Sequence, residues 1–484
     1  MDAAEILLAS GVALAGAIRE RRTTSVEVVR AHIARARAVN PGLNAIVRDR
    51  YEEALREAAR ADERVAGARA EELPPFHGVP VSIKEAYALE GMPNTSGLWA
   101  RRDVVARDDA TVVRRLREAG AIPIGVTNTS ELCMWFESAN KVWGRTNNAY
   151  DPARTCGGSS GGEGAIVGAG AVPFGLGSDV GGSIRMPAFF NGVFGHKPTG
   201  GLVPSTGHHP PAKNEVQRFV CCGPLARRAA DLMPCLRAIA GPDGVEERTV
   251  EHPLGDPADV DLRRLTIYSI ERGPAPVQPE LLAAQRRAAA ALEARGARVE
   301  RREIPALRRS LEIWSAMMHV GSEGANRFRD LMSEGGDLRP WRELARSAVG
   351  RSRFTVPGLL LSVLEDLPGL LPGRMETIVG LGHELERELA SLLGDRGALL
   401  YPSFPRVAPR HRTPLLRPFQ FAYTAIFNVM QMPSTQVPLG LDPQGVPVGV
   451  QVAAPRFADH VTIAIAIALE DSLGGWSPPS RFAR

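Results

Sequence analysis

Apolar and polar positions change period several times along the chain, and each change predicts an element. Residues 1–75 carry helical spacing. Ile6 to Ile18 (ILLASGVALAGAI) is an apolar run preceded by Asp2 and Glu5 and followed by RERR. It is too short to span a bilayer and acidic where a secretion signal carries positive charge, so it predicts a packed helix. Thr24-Ser25-Val26-Glu27 has the form of a capping box, with Val26, Val29, Ile33 and Ala36 marking one helix face. The period then shortens. HGVPVSIKE (77–85) predicts a buried strand ending at Lys84, and Asp109 is placed to cap a helix running through Ala119, with Gly120 as its stop. AIPIGV (121–126) is the next strand, GAIVGAGA a short helix, VPFGLGSD (172–179) a strand and SIRMPAFF the start of another helix. LTIYSI (265–270), an alanine-rich helix from Glu280 to Arg295, and ARVERRE (297–303) repeat the strand–helix–strand order. Such alternation predicts an α/β fold layered around a mainly parallel or mixed sheet with helices on both faces.

At 484 residues the chain exceeds the usual domain size. No fixed-period repeat or low-complexity linker divides it, so one large domain is expected. Its parts are an N-terminal helical region (1–75), a core (76–304), a variable helical insertion rich in Pro, Gly and Arg (305–420) and a C-terminal return to the core (421–484). Hydrophobic residues make up 44% and charged residues 23%, and 58 Lys+Arg minus 54 Asp+Glu leaves a net charge of +4. That balance, with arginines scattered rather than clustered, argues against nucleic acid as a partner. Five cysteines with no CxxC pair fit a reducing, cytoplasmic setting and no zinc site, and Cys133 and Cys156 read as buried, inert thiols.

Candidate chemistry concentrates in CGGSSGGEGAIVGAGAVPFGLGSDVGGSIRMPAFF, from Cys156 to Phe190. Two serine islands lie among glycines, which tolerate positive φ and close backbone approach. Gly164-Ala-Ile-Val-Gly168-Ala-Gly170 is not followed by GK[ST] and lacks the frame of a dinucleotide-binding turn. Ser183 follows Asp179-Val180-Gly181-Gly182 in a tight turn after a predicted strand, a setting that can present a hydroxyl beside backbone N–H groups. A serine nucleophile needs a base. None of the ten histidines has a recognisable base setting, since His208-His209 sits in a proline-flanked loop and His196 precedes KPTGG. Lys84, in an apolar strand that would lower its pKa, is the remaining candidate.

Lys84, GGSSGG and GSDVGGSIR together resemble the amidase signature family. The text GGSSGGEG, NTSELCMWFES and KEAYALEGMPNTSG is most similar to fatty-acid amide hydrolases of the second vertebrate type, though without an N-terminal membrane anchor. The likeness runs from AIRERRTTSVEVV to VPLGLDPQGVPVGVQVAAP. It implies an amide hydrolase with a Ser–Ser–Lys triad and no metal or organic cofactor. Ser183 would be the nucleophile, Ser159 the proton shuttle after a cis bond from Gly158, and Lys84 the base. Backbone N–H groups of Val180, Gly181, Gly182 and Ser183 would hold the oxyanion. Asp179 and Arg185 would brace the turn, Ser160 would support Lys84, and Met134, Trp135 and Phe136 would line an acyl pocket or simply pack in the core.

PGLLLSVLEDLPGLLPG (357–373) reads as an amphipathic helix pair, either packed or dimer-forming, or else a hydrophobic entrance or peripheral membrane contact. A homodimer is the family-level expectation. Three function classes follow in descending order of fit. The first is a stand-alone amidase acting on small-molecule amides, with fatty-acyl, short-chain or aryl amides and esters as the substrate range. The others are the amidase-type subunit of a glutamyl-tRNA amidotransferase, and a non-catalytic module holding a small anion.

Overall fold

The structure, a computed structural model, describes residues 1–325, 327–365 and 372–482. Its strands are β1 (Ile46–Asp49), β2 (Val79–Lys84), β3 (Ala121–Thr127), the short pair β4 (Ala139–Asn140) and β5 (Gly144–Arg145), β6 (Phe174–Asp179), β7 (Phe194–Lys197), β8 (Cys221–Ala226), β9 (Thr266–Ser269), β10 (Arg298–Arg301), β11 (Gly397–Tyr401), β12 (Ser434–Leu441) and β13 (Pro447–Ala453). Except for β4 and β5 they form one 11-stranded sheet in the order β1-β3-β2-β6-β8-β7-β12-β13-β11-β9-β10. Parallel runs, β3-β2-β6 and β11-β9-β10, lie toward its two ends, and antiparallel pairings join them through the middle. The predicted α/β mixed sheet is therefore correct, and it is continuous from one end of the chain to the other.

Strand β2 shows how the layers form. Val79, Val81 and Ile83 join the core made with helices Gly11–Arg19, Thr111–Glu118 and Leu232–Ile239. Alternation turns Ser82 and Lys84 to the other face, toward helix Gly161–Gly168. On that face Ile122 and Ile124 pack with helices Ser25–Leu43 and Tyr51–Gly67. Helices thus cover both faces, which suits the uninterrupted apolar reading of β2 and β3.

Several local readings need correction. The apolar run Ile6–Ile18 is not one helix but two, Ala3–Leu8 and Gly11–Arg19. Ser10 caps the second, and the buried Asp231 carboxylate accepts the free N–H groups of Gly11 and Val12 at 2.8 and 2.9 Å, so a partner 220 residues away decides the break. Asp109 does not cap the following helix, which starts at Thr111 after an uncapped Ala110; its carboxylate is occupied by the Glu90 N–H and by Arg117. Residues 1–75 also contribute β1, and the segment 305–420 contributes β11, which lies between β13 and β9 inside the core sheet. Of the segment 357–373, residues 366–371 lie outside the described residues; the preceding part is helix Val356–Leu364.

One buried cluster binds the early strands to the late ones. Arg185, at the start of helix Arg185–Phe190, donates to both Asp179 carboxylate oxygens (3.0 and 3.1 Å), to Asn428 Oδ1 (2.7 Å) and to Gln451 Oε1 on β13 (3.0 Å). Every partner is fully buried, and removing one member of such a set leaves a desolvated charge. Arg185→Met should cost about 3–5 kcal/mol in urea unfolding. A cost below about 1 kcal/mol would show that this cluster does not hold the two halves together.

Candidate active site

Strands β2 and β6 are parallel neighbours, so their carboxyl ends open at the same edge of the sheet, where α/β folds place their sites. Lys84 is the last residue of β2, and Ser178 and Asp179 are the last of β6. The first serine island, Gly157 to Ser160, runs across this edge and enters helix Gly161–Gly168. Its glycines are there for space: a Cβ on Gly158 would lie 2.5 Å from the Trp135 carbonyl oxygen. The Gly158–Ser159 peptide bond is cis, as the family resemblance implied.

Lys84 is fully buried, and its Nζ donates to Ser159 Oγ at 2.6 Å and to Ser178 Oγ at 2.9 Å. Burial pushes the Lys84 pKa below its usual value, with Cys133 and Asp179 opposing. The two serine islands touch through the Ser160 N–H, which donates to the Ser183 carbonyl at 3.2 Å. Ser159, Ser178 and Ser183 all line one cavity of about 720 Å³. Ser160 does not reach Lys84: its hydroxyl exchanges hydrogen bonds with the Ser178 N–H and C=O, so its support passes through Ser178.

The turn between β6 and Ser183 is fixed from outside. Asn428 Nδ2 donates to the Asp179 carbonyl (3.0 Å), and Trp314 Nε1 donates to the Val180 carbonyl (3.0 Å). Planar trans peptides then turn the N–H groups of Val180 and Gly181 to the opposite side. Gly182 is different, because its N–H donates to Asp179 Oδ1 at 2.6 Å. Of the four N–H groups expected to hold an oxyanion, this one is committed to the carboxylate, which leaves Val180, Gly181 and Ser183. At φ +115° Gly182 also has no room for a side chain, since a Cβ would collide with Thr424. Burial alone would raise the Asp179 pKa, but the Arg185 guanidinium and the Ile184 N–H hold it well below the usual carboxylate range.

Met134, Trp135 and Phe136 line a second cavity of about 350 Å³, which shares Ser183, Val180 and Cys133 with the first. Met186, Leu361 and Phe421 complete a largely apolar wall, and helix Val356–Leu364 contributes Pro357, Leu360 and Leu364. Cys133 is buried as expected but lines both cavities, with Sγ 3.5 Å from Thr129 Oγ1 and 3.6 Å from Ser96 Oγ.

Residues 27–463 match the amidase family. The chain belongs to that family. This amidase is 44% identical to fatty-acid amide hydrolase 2 of Homo sapiens, over 99% of the chain and 91% of the relative. It is 32% identical to a glutamyl-tRNA(Gln) amidotransferase subunit of Moorella thermoacetica, over 95% of each. Among solved structures it resembles 6-aminohexanoate cyclic dimer hydrolase bound to its substrate, with a TM-score of 0.78 and 26% identity over 98% of this chain and 99% of that one. The amidase is an amide-hydrolysing enzyme with one large α/β domain. Among its described residues no helix is long and apolar enough to cross a membrane.

Sequence reasoning missed Ser178 and His208. Ser178 lies in the recognised GSDVGGSIR text but before its serine nucleophile candidate, and His208 Nε2 reaches Ser178 Oγ at 2.9 Å from a loop with no motif of its own. It also missed two buried acids beside Lys84. Burial pushes Glu85 up to about 8, against the hydroxyl and N–H of Thr95, and pushes Glu163 up to about 7, against the hydroxyls of Ser82 and Thr127. Both lie above the ordinary 4.5, so the folded state keeps protons that the unfolded chain has lost. Their stabilising contribution is complete below the ordinary value and disappears as pH rises through 7 and then 8. Glu163→Gln should flatten the fall in unfolding free energy between the ordinary 4.5 and about 7; an unchanged pH slope there would contradict the raised value.

Proposed function

We propose that this amidase hydrolyses amides of apolar carboxylic acids, fatty acids among them, with Ser183 as nucleophile and Ser159 and Lys84 as its proton path. The observation that carries the reading is the 2.6 Å contact between a fully buried lysine amine and Ser159, in the cavity that Ser183 also lines. Neutral Lys84 takes the Ser159 proton, Ser159 takes the Ser183 proton, and Ser183 Oγ bonds to the substrate carbonyl carbon. The N–H groups of Val180, Gly181 and Ser183 receive the developing negative charge. The proton then returns from Lys84 through Ser159 to the amine nitrogen as the C–N bond breaks. Water attacks the acyl-enzyme by the same path in reverse, releasing the acid and restoring the Ser183 hydroxyl.

The apolar cavity beside Met134, Trp135 and Phe136 supports acyl binding there, and the larger cavity is left to the departing amine. The identity with human fatty-acid amide hydrolase 2 supports a long acyl chain. Leu360, Leu364 and Phe419, exposed at the rim of the apolar cavity, support peripheral contact with a lipid surface from which such a substrate is drawn. Five buried free cysteines support a reducing, cytoplasmic setting.

For the purified chain, kcat/KM on primary amides should rise from acetyl to long acyl groups. Ser183→Ala should lower it by at least about a thousandfold while the protein stays folded. Turnover by folded Ser183→Ala at the wild-type rate would remove Ser183 as nucleophile, and a maximum at acetyl would reject the apolar acyl assignment. Because the base must be neutral, kcat/KM should fall as pH drops and Lys84 gains its proton, and Lys84→Ala should be inactive across that range. A flat profile would rule out a titrating base.

A further inference from the structure

Hydrogen-bond chemistry around Ser178 constrains how Lys84 can face Ser159. His208 Nδ1 lies 3.0 Å from the Pro210 carbonyl oxygen, which can only accept, so Nδ1 carries the proton. In the neutral ring Nε2 is then bare and can only accept. Its partner at 2.9 Å is Ser178 Oγ, whose single proton is therefore directed to His208. With that proton engaged, Ser178 offers Lys84 nothing but a lone pair, and the 2.9 Å contact from Lys84 must be an N–H donation. Once the amine has lost a proton, its one lone pair is left for the Ser159 hydroxyl proton across the same 2.6 Å contact through which the charged amine donates.

The loop that carries His208 is strapped to the chain immediately after Lys84. The His209 N–H donates to the Ala86 carbonyl (2.8 Å), the Ala88 N–H donates to the Gly207 carbonyl (2.9 Å), and Tyr87 and His208 form an antiparallel bridge. The Tyr87 ring meets the imidazole edge-on at 5.0 Å, and its hydroxyl donates to the Gly177 carbonyl beside Ser178. His208, Ser178 and Lys84 are thus held in one frame, and His208 lines the same cavity as Ser159 and Ser183.

We propose that His208 is a positioning residue for the hydrolysis: by taking the Ser178 proton it makes Ser178 an obligate acceptor and reserves the Lys84 lone pair for Ser159. Without this acceptor the Ser178 hydroxyl can rotate and donate to Lys84, competing with Ser159 for the base. The inference rests on Lys84 as base and adds a residue that acts on the reacting atoms only through Ser178.

The test is steady-state kinetics of His208→Ala, His208→Gln, Ser178→Ala and the double variant His208→Ala/Ser178→Ala, with Lys84→Ala as reference. His208→Ala should lower kcat about 10–100-fold, the scale of losses when the partner of a catalytic group is removed, with KM within about threefold. Gln, whose Oε1 can take the place of Nε2 as acceptor, should restore most of kcat. Ser178→Ala should be impaired, and the double variant should be no worse than the poorer single variant. A wild-type kcat for His208→Ala, a loss confined to KM, or additive effects in the double variant would overturn the proposal. Wild-type activity of Lys84→Ala would instead overturn the underlying assignment of the base. Should His208→Ala not fold, ¹⁵N NMR of histidine-labelled wild-type protein, at a pH where the ring is neutral, decides the point. The Nδ1–H tautomer supports the proposal, and the Nε2–H tautomer overturns it.

Discussion

The site depends on burying an amine without hydrogen-bonding it to a carboxylate. Lys84 is fully enclosed at the end of β2, and its two hydrogen-bond partners are the hydroxyls of Ser159 and Ser178. A carboxylate in that position would stabilise the ammonium and keep the amine charged. The two buried acids nearby are themselves shifted toward their neutral forms, Glu163 to about 7 and Glu85 to about 8, so low dielectric acts on all three groups in the same direction. Asp179 contrasts with them. It stays ionised because Arg185 and backbone N–H groups surround it, and it spends that charge on shaping the turn.

The sheet makes both arrangements available from adjacent strands. Parallel pairing of β2 with β6 puts Lys84 and Ser178 at one edge, and antiparallel pairing of β6 with β8 closes the far side. The glycines of the two serine islands then allow the Trp135 backbone and the Thr424 side chain to approach at distances that a methyl group would forbid. Carbonyls of the turn are held by Asn428, Trp314 and Thr424, all from the later part of the chain. Lys84, Ser159 and Ser183 come from an early segment, whereas the turn before Ser183 is oriented by a late one.

That division explains what could be read in advance. Lys84, Ser159 and Ser183 stand in local text with its own strand, turn and glycine signals; β2, β3, β6 and β9 follow apolar patterns, and β10 follows from the repeated strand–helix–strand order. Strands β12 and β13 were not visible because they bury Gln436 and Gln451: Gln451 donates to the Pro402 and Tyr423 carbonyls, and Gln436 accepts from the Ser403 hydroxyl. The helix break at Ala9–Ser10 is equally non-local, since Asp231 makes it. His208 looked like loop histidine because its meaning lies in a contact 30 residues back, with no spacing rule to announce it.

The Asp179–Arg185 cluster has a consequence for biosynthesis. The ribosome releases Lys84 and both serine islands long before Asn428 and Gln451, the groups that complete the cluster. A nascent chain that has exposed Lys84, Ser159 and Ser183 therefore still lacks the clamp that orients the turn. The turn is complete only once the C-terminal strands are in place. A chain cut before β13 would carry the whole Ser–Ser–Lys set yet leave a buried arginine and aspartate incompletely solvated by the protein.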